Sequence, residues 1–537
     1  MTRFPLTLGA AVIAALAVAP AWADGVGRIE DGVAAANPKA GTPSTLIDPD
    51  FKLNVIAAGI DPLENPSGVI TNFGMLSTGV LTEPDENTYL VLDHNPGGPT
   101  PGFDYGRHFV FQGHENGAPL AYVTRVNLDV PRSSPHRITL LTPVNPATGQ
   151  TGFGAIDGST FNPFTRTLLF TQEAGAAGGV IQLTTGWPAQ LNSLDAFLGK
   201  GGYEGIHPDN KGNIYIIEDT GGATSSTISP VNLNKGRQPN SFVYRYVPNN
   251  PSRIEDGGKL QALQVIIDGN PVVFGGTTAA ARDADISAPA QLKLHTPGTS
   301  YPVKWVTIHT ANAGDTAAFD ANAAAKTVGA TPFKRPENMA WLPGSDFRTF
   351  FFDPTGDTDS VAGDNPFLQA RGAYGAIFRV DLRDDDDRDG DDDRDDHHHG
   401  ASGDGKISLF FLGDHNHNSF DNLSFANEHQ LMSTEDRGDL LHTELNTLDS
   451  VWAFDVRKPS KDPIRFIALG RDATSILHGE DNEPTGLFVS NGSSSKHSML
   501  GTEDSLDGAR GFVTQQHGDN ILYEFVRKPE HHEAFRD

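Results

Sequence analysis

Cysteine is absent from all 537 residues, which removes disulfides, thiolate metal ligands and cysteine nucleophiles at once. Positive charge is also scarce: 40 Lys and Arg stand against 68 Asp and Glu, a formal net charge of −28. A chain this acidic is repelled by nucleic acid and by anionic membrane surfaces, so neither is expected as a partner. It repels phosphate esters too unless cations intervene; handling such anions therefore implies bound metal, and otherwise the charge serves only solubility. Beyond the first two dozen residues no apolar run reaches the roughly 20 residues of a membrane-spanning helix. Heptad-like apolar stripes are hard to find, which argues against a helical architecture, and no G-x-S-x-G elbow marks a serine nucleophile.

The chain opens with MTRFPLTLGAAVIAALAVAPAWADG. Arg3, the apolar run Leu8 to Val18 and the small-x-small ending Ala21-Trp22-Ala23 read as a Sec signal peptide over residues 1–23, cleaved before Asp24. A membrane anchor is the alternative, but the apolar stretch is too short to span. The mature chain is therefore expected in the periplasm or outside the cell. Residues 24–50, rich in Ala, Gly and Pro, read as a lead-in segment.

From Phe51 onward, 58 Gly and 36 Pro across the chain punctuate short β-branched and aromatic runs. Examples are Thr88-Tyr-Leu-Val-Leu92, Thr167-Leu-Leu-Phe-Thr171, Asn213-Ile-Tyr-Ile-Ile217, Ser241 to Val247, Gly375 to Leu382, Ser450 to Asp455 and Asn520 to Val526. Several pair into a recurring unit: a short strand with carboxylates at its end, a Gly-rich turn and a returning aromatic strand. Such quasi-repeats predict an all-β fold, a β-propeller of about six blades with loop and short-helix insertions, in one domain over residues 51–530. Two separate β-sandwiches are the alternative. Helix is expected only at Ala279 to Arg282 and Asp315 to Ala325, within an insertion from Gly269 to Thr331 that decorates the ring.

One tract stands apart, Arg383-DDDDRDGDDDRDDHHHGASGDG-Lys406 over residues 383–406, which has nothing large and apolar to bury. It reads as a disordered or ion-ordered insert. Asp385, Asp387, Asp389, Gly390 and Asp396 fall on an EF-hand loop pattern, although any Asp-rich tract supplies it and no amphipathic helices flank it. Loose calcium binding or plain solvation is the expectation.

The remaining signals are carboxylates at strand ends and turns: Glu173 after Leu168 to Gln172, Glu204 after Tyr203, Glu218-Asp219 closing Ile214 to Ile217, Glu337 in Lys334-Arg-Pro-Glu337, then Asp421-Asn422 and Glu483-Pro-Thr-Gly486. Taken singly, each is a turn cap or a solvated strand end. Taken together, oxygen ligands on separated turns are what Ca²⁺ and other hard cations require.

At these residues the sequence resembles the PhoX family of secreted alkaline phosphatases. The matching stretches, in the family's order, are Gly113-His-Glu-Asn116, Thr171-Gln-Glu173, Tyr203-Glu204 with Ile214 to Gly221 and Phe242 to Val247, Lys334-Arg-Pro-Glu337, Phe420 to Phe425 with Ser433-Thr-Glu-Asp436, Glu483-Pro-Thr-Gly486 and Thr514-Gln-Gln-His-Gly518. The resemblance implies a central pocket where calcium and iron, or another transition metal, hold a small-molecule phosphate ester for hydrolysis. It makes Glu204 and Glu337 metal ligands, with Glu173, Glu218, Asp219 and Glu483 as further candidates. Arg335 becomes the group that forks across phosphoryl oxygens. Among the histidines near the motifs, His114, His207 and His517, it is His517 that lies in a matched stretch and is the candidate proton-transfer group.

Two departures from the family pattern matter. Gln172 stands where the family carries a cysteine ligand, and an amide is a poor substitute for a thiolate on iron. Only Arg3 is present where a twin-arginine export signal is common. Both favour a calcium-rich, iron-free site. The rival to a phosphatase is a non-catalytic, calcium-stabilised secreted propeller acting as a binding or surface protein. In either case a monomer is expected.

Overall fold

The computed structural model describes residues 25–35, 44–383, 404–470, 482–500 and 506–529. The signal segment and the EF-hand-like positions Asp385, Asp387, Asp389 and Asp396 lie outside the described residues. The protein is all-β and propeller-like. After β1 (Leu46–Ile47) and β2 (Phe51–Ala57), the first antiparallel sheet comprises β3 (Glu83–Val91), β4 (His108–Glu115), β5 (Tyr122–Asn127) and β6 (Ile138–Leu140). A second comprises β7 (Ile156–Asn162), β8 (Thr167–Gln172), β9 (Val180–Thr184) and β10 (Leu191–Ser193).

A large ten-stranded sheet follows, built from β11 (Tyr203–Pro208), β12 (Ile214–Glu218), β13 (Val243–Pro248), β14 (Gly257–Ile267), β15 (Asn270–Pro271), β16 (Ser300–Asn312), β17 (Pro336–Trp341), β18 (Thr349–Pro354), β19 (Ala376–Leu382) and β20 (Gly405–Leu412). Next come β21 (Phe420–Asn427), β22 (Gln430–Glu435), β23 (Ser450–Asp455) and β24 (Ile464–Ala468), with β1 added at the edge. The last sheet holds β25 (Pro484–Ser490), β26 (Arg510–Gln515) and β27 (Ile521–Arg527), completed by the early strand β2.

The first strand of each four-strand run lines a common axis. β3 packs on β7, β7 on β11, β11 on β17, β17 on β21, β21 on β25, and β25 returns to β3. Closure is sealed by hydrophobic burial, which is non-directional and tolerates the twist between sheets. Phe466 of β24, for instance, stands edge-on to Phe51 of β2 at 5.0 Å and to Phe525 of β27 at 5.2 Å.

The insertion departs from its expected decorative role. Its helices are present at Ala279–Ser287, Pro289–Leu294 and Ala321–Thr327, the first longer than predicted and the second not foreseen. Between them β16 pairs with both β14 and β20, so the insertion also builds sheet. β16 was missed because its outward residues are polar or half-exposed and dilute the alternation expected of a strand.

All six innermost strands share one irregularity. Opposite its neighbour, each carries one extra residue near its start, a β-bulge between Pro84 and Asn87, Ile156 and Ser159, Tyr203 and Ile206, Pro336 and Met339, Phe420 and Leu423, and Thr485 and Phe488. A bulge bends the strand and re-aims its side chains. The axis is tight there: a Cβ on Gly158 would lie 2.0 Å from the Glu204 carbonyl oxygen. At the other end of the same strands the axis closes on apolar side chains, with Trp341, Phe347, Phe488, Met499 and Leu500 around a cavity of about 80 Å³. Gly158→Ala is therefore expected to destabilise the fold by roughly 1–3 kcal/mol through overpacking. The check is a urea midpoint measured against Gly275→Ala, whose added methyl meets nothing within 4 Å.

Candidate metal centre

The bulges decide which side chains reach the axis. Their first residues are Asp85, Asp157, Glu204, Glu337, Asp421 and Gly486. On each second strand, the residue one position beyond the partner of the residue preceding the bulge forms a companion set: Glu115, Glu173, Asp219, Thr355, Asp436 and Gln515. Nine carboxylates thus occupy equivalent corners at one end of the ring. Gly486 takes up φ +59°, a left-handed conformation that favours glycine, at the bulge without an acid.

Among the described residues, two groups of three converge. One oxygen each from Glu204, Asp219 and Glu337 lie within 4.8 Å of one another, and so do oxygens of Asp85, Glu115 and Asp157. Five of these six residues are buried and Glu115 is half-buried. In the first group Glu204 Oε2 and Asp219 Oδ1 are buried with no hydrogen-bond partner, a costly arrangement unless a cation completes it.

Arg335 serves the first group directly. Its Nε donates to Asp219 Oδ2 at 2.8 Å and its Nη2 lies 3.4 Å from Glu337 Oε1. The residue sits at φ +51°, a conformation costing a non-glycine residue roughly 1 kcal/mol. The Thr355 hydroxyl donates to Glu337 Oε1.

Charge crowding is legible in the acidities. Burial first, and then repulsion from neighbouring carboxylates, pushes Glu115, Asp157, Glu173, Glu204 and Asp421 well above the usual carboxylate range. Glu337 is pushed up to about 8 by burial and by Asp219, with Arg335 opposing. Asp85 is raised to about 6, chiefly by burial, with the Thr485 hydroxyl opposing. Burial alone would lower the Arg335 guanidinium; Asp219 and Glu337 more than reverse that and hold it well above its ordinary value.

Of the residues singled out from the sequence, Glu204, Asp219, Glu337 and Arg335 meet at one place. Glu173 lies close enough to feel Asp219, Glu337, Arg335 and Asp85, between the two groups. Glu218 goes elsewhere: strand alternation turns it from the axis, where it accepts from Tyr244 Oη at 2.8 Å, the Phe242 amide at 3.1 Å and Asn322 Nδ2 at 3.1 Å. Glu483 is half-buried before β25, outside both groups. His517 stands at the rim, its Nε2 3.6 Å from Glu83 Oε1. His114 stacks on Tyr122 and bonds Thr124, and His207 bonds Asn338. Gln172 donates its amide to the Gly154 carbonyl at 2.9 Å.

Sequence reasoning missed Asp85, Glu115 and Asp157. The signal was available as an acidic residue at five of the six inner-strand bulges, followed by Gly or Asn in four of them, but it aligns only once the register is known.

An all-oxygen donor set of this kind fits a hard cation such as Ca²⁺. It does not fit iron bound through sulfur, since the chain has no cysteine and Gln172 is engaged at Gly154. Replacing Arg335 by Met should leave three crowded carboxylates uncompensated and lower stability by about 3 kcal/mol. Thermal melting in chelator checks this, and added Ca²⁺ is expected to recover most of the loss.

Comparison with known proteins bears out the resemblance seen in the sequence. The model for the family "Alkaline phosphatase PhoX" matches residues 234–456. No curated protein matches the chain. Among solved structures, Pseudomonas fluorescens PhoX in complex with vanadate, a transition state analogue, is similar at 14% identity, covering 93% of this chain and 97% of that one, with a TM-score of 0.51. That is a likeness of fold. An aldose sugar dehydrogenase from Streptomyces coelicolor also matches, at 13% identity over 83% of this chain and 99% of that one, with a TM-score of 0.35.

Proposed function

We infer, with the PhoX family match as premise, that this protein is a metal-dependent phosphoric ester hydrolase of the alkaline phosphatase type, exported through its N-terminal signal and acting on small-molecule phosphate esters. Its ring reads as six blades, the ten-stranded sheet being two blades joined edge to edge through β16, and six equivalent bulges support this reading. The non-catalytic alternative draws no support from the family match.

The observation that carries the proposal is a guanidinium fixed among buried carboxylates with partnerless oxygens. Such a set repels a phosphate ester by itself, so it makes chemical sense only as the cradle of cations that reverse its sign. Glu204, Asp219 and Glu337 would hold Ca²⁺, with Glu173 beside them. When bound, a dication there supplies positive charge that offsets the phosphoryl oxygens.

Arg335 does the orienting. Asp219 holds Nε and Glu337 lies beside Nη2, which leaves Nη1 to reach a phosphoryl oxygen and fixes the plane in which the ester lies. Paying for its orientation in advance is what makes a charged donor effective when negative charge shifts during transfer. His517, at the rim beside Gln516, is assigned the proton for the departing oxygen.

The test is hydrolysis of p-nitrophenyl phosphate by the mature chain. Chelation should abolish turnover and Ca²⁺ should restore it, with no further gain from Fe³⁺. Arg335→Ala is expected to lower kcat/KM by about 100-fold or more while bound calcium, measured by elemental analysis, stays unchanged. A calcium-loaded wild-type protein that hydrolyses no phosphomonoester would overturn the reading.

A further inference from the structure

Arg335 belongs to a clamped stretch of backbone, and the clamp leads away from the metal centre. Two long connections rise at the centre's end of the ring: residues 219–242 leave β12 beside Asp219, and residues 355–375 leave β18 beside Thr355. They share a small apolar core of Leu233, Ala362, Leu368 and Ala373, completed by Ile286 of the insertion. Asn365 Nδ2 also donates to the Asn232 carbonyl at 2.7 Å. Together the two connections stand as a wall beside the site.

Lys334 and Asp357 join this wall to Arg335. Lys334 Nζ lies 2.9 Å from Asp357 Oδ1 and 3.0 Å from Oδ2, and the two side chains are 2% and 0% exposed. The Arg237 amide donates to the same Oδ1 at 3.0 Å and its Nε to the Asp357 carbonyl at 3.3 Å, while the Asp357 amide donates to the Ala373 carbonyl at 2.8 Å. The backbone is tied as well: the Gly356 amide donates to the Lys334 carbonyl at 3.2 Å and the Thr355 amide to the Arg335 carbonyl at 2.7 Å. Arg335 is held at its left-handed φ of +51° by these ties.

A buried ion pair adds little net stability, because desolvating two charges offsets most of their attraction and an apolar pair of similar volume does as well. What it adds is a single satisfied arrangement of the backbone that carries it. It also removes a competitor. Without Asp357, the Lys334 ammonium, next in sequence to Arg335, would be a second cation free to seek Asp219 and Glu337 in place of the guanidinium.

We propose that Lys334 and Asp357 are positioning residues for Arg335: their ion pair locks the wall to the peptide that turns the guanidinium into the centre. The inference rests on the reading of Arg335 as the group that orients the phosphoryl oxygens.

The experiment uses the mature full-length chain loaded with calcium, with p-nitrophenyl phosphate for turnover and isothermal calorimetry for binding of inorganic phosphate. Asp357→Asn keeps the shape and the acceptor for the Arg237 amide but removes the charge that fixes Lys334. It should lower kcat/KM about 100-fold and weaken phosphate binding about tenfold, with bound calcium unchanged. Lys334→Met combined with Asp357→Leu removes both charges at once and should melt close to wild type, while turnover and phosphate binding stay impaired. A pair that serves only the fold would instead recover turnover along with melting temperature, and that result would overturn the inference. Should Asp357→Asn fail to fold, the double variant carries the test alone. Wild-type phosphate affinity in either folded variant also overturns the positioning role. A wild type that binds phosphate without hydrolysing the ester sinks the phosphatase reading alone, since the effect of the pair is still read from phosphate binding; a wild type that binds no phosphate sinks both.

Discussion

Carboxylates forced together at one end of a narrow axis are the constraint around which this protein is organised. The backbone creates the crowding: one extra residue in each innermost strand turns an acid toward its neighbours, and the paired corner adds another. Hydrophobic packing between sheets then fixes the strands so closely that the acids have no room to separate. A few polar groups nearby offset part of the repulsion. Arg335 bridges two acids, hydroxyls from Thr355 and Thr485 reach two, and Gln516 spans Asp85 and Glu115. Buried oxygens of Glu204, Asp219 and Asp157 still stand without partners. The structure therefore fits a protein completed by ions.

The offsets are unevenly distributed. Where Arg335 enters, the carboxylates surround a donor able to fork across a phosphoryl group, and the arrangement suits an anion that comes and goes. Around Asp85 the partners are neutral, the Thr485 hydroxyl and the Gln516 amide from a different sheet. A chain without cysteine has no disulfide to hold the two ends of a ring together. Antiparallel pairing of β2 with β27 joins them instead.

Much of the outer sheet structure was legible in the sequence. Runs such as Thr167 to Thr171, Asn213 to Ile217 and Ser450 to Asp455 are strands, because second and third strands of each sheet are buried by apolar side chains that alternate or run continuously. Apart from Thr88 to Val91 of β3, the innermost strands were not legible as strands. Ile156-Asp-Gly-Ser-Thr-Phe-Asn162 and Tyr203-Glu-Gly-Ile-His-Pro208 are almost wholly buried yet mix acids, glycine and apolar residues, since an axial strand is packed on both sides and its bulge breaks the two-residue period. Glu204, Glu337 and Arg335 came from the resemblance to a family, whereas Asp85, Glu115 and Asp157 needed the register. Glu218 shows the converse: next to Asp219 in sequence, it points the other way because successive strand residues face opposite sides.

The same alternation explains why glutamine at position 172 leaves no defect in the centre. Gln172 pairs with Ile156 immediately before a bulge, as Glu218 pairs with Tyr203, so the two occupy one register position in successive sheets. At that position the side chain turns away from the axis: Glu218 is tied to Tyr244 and Asn322, and Gln172 to the Gly154 carbonyl. The residue that reaches the axis is the next one, Asp219 in one case and Glu173 in the other. Gln172 thus leaves the carboxylate of Glu173 beside it undisturbed. The carboxylate lining of the axis follows from the register of β8 as much as from the composition of the chain, and donors of that kind suit hard cations.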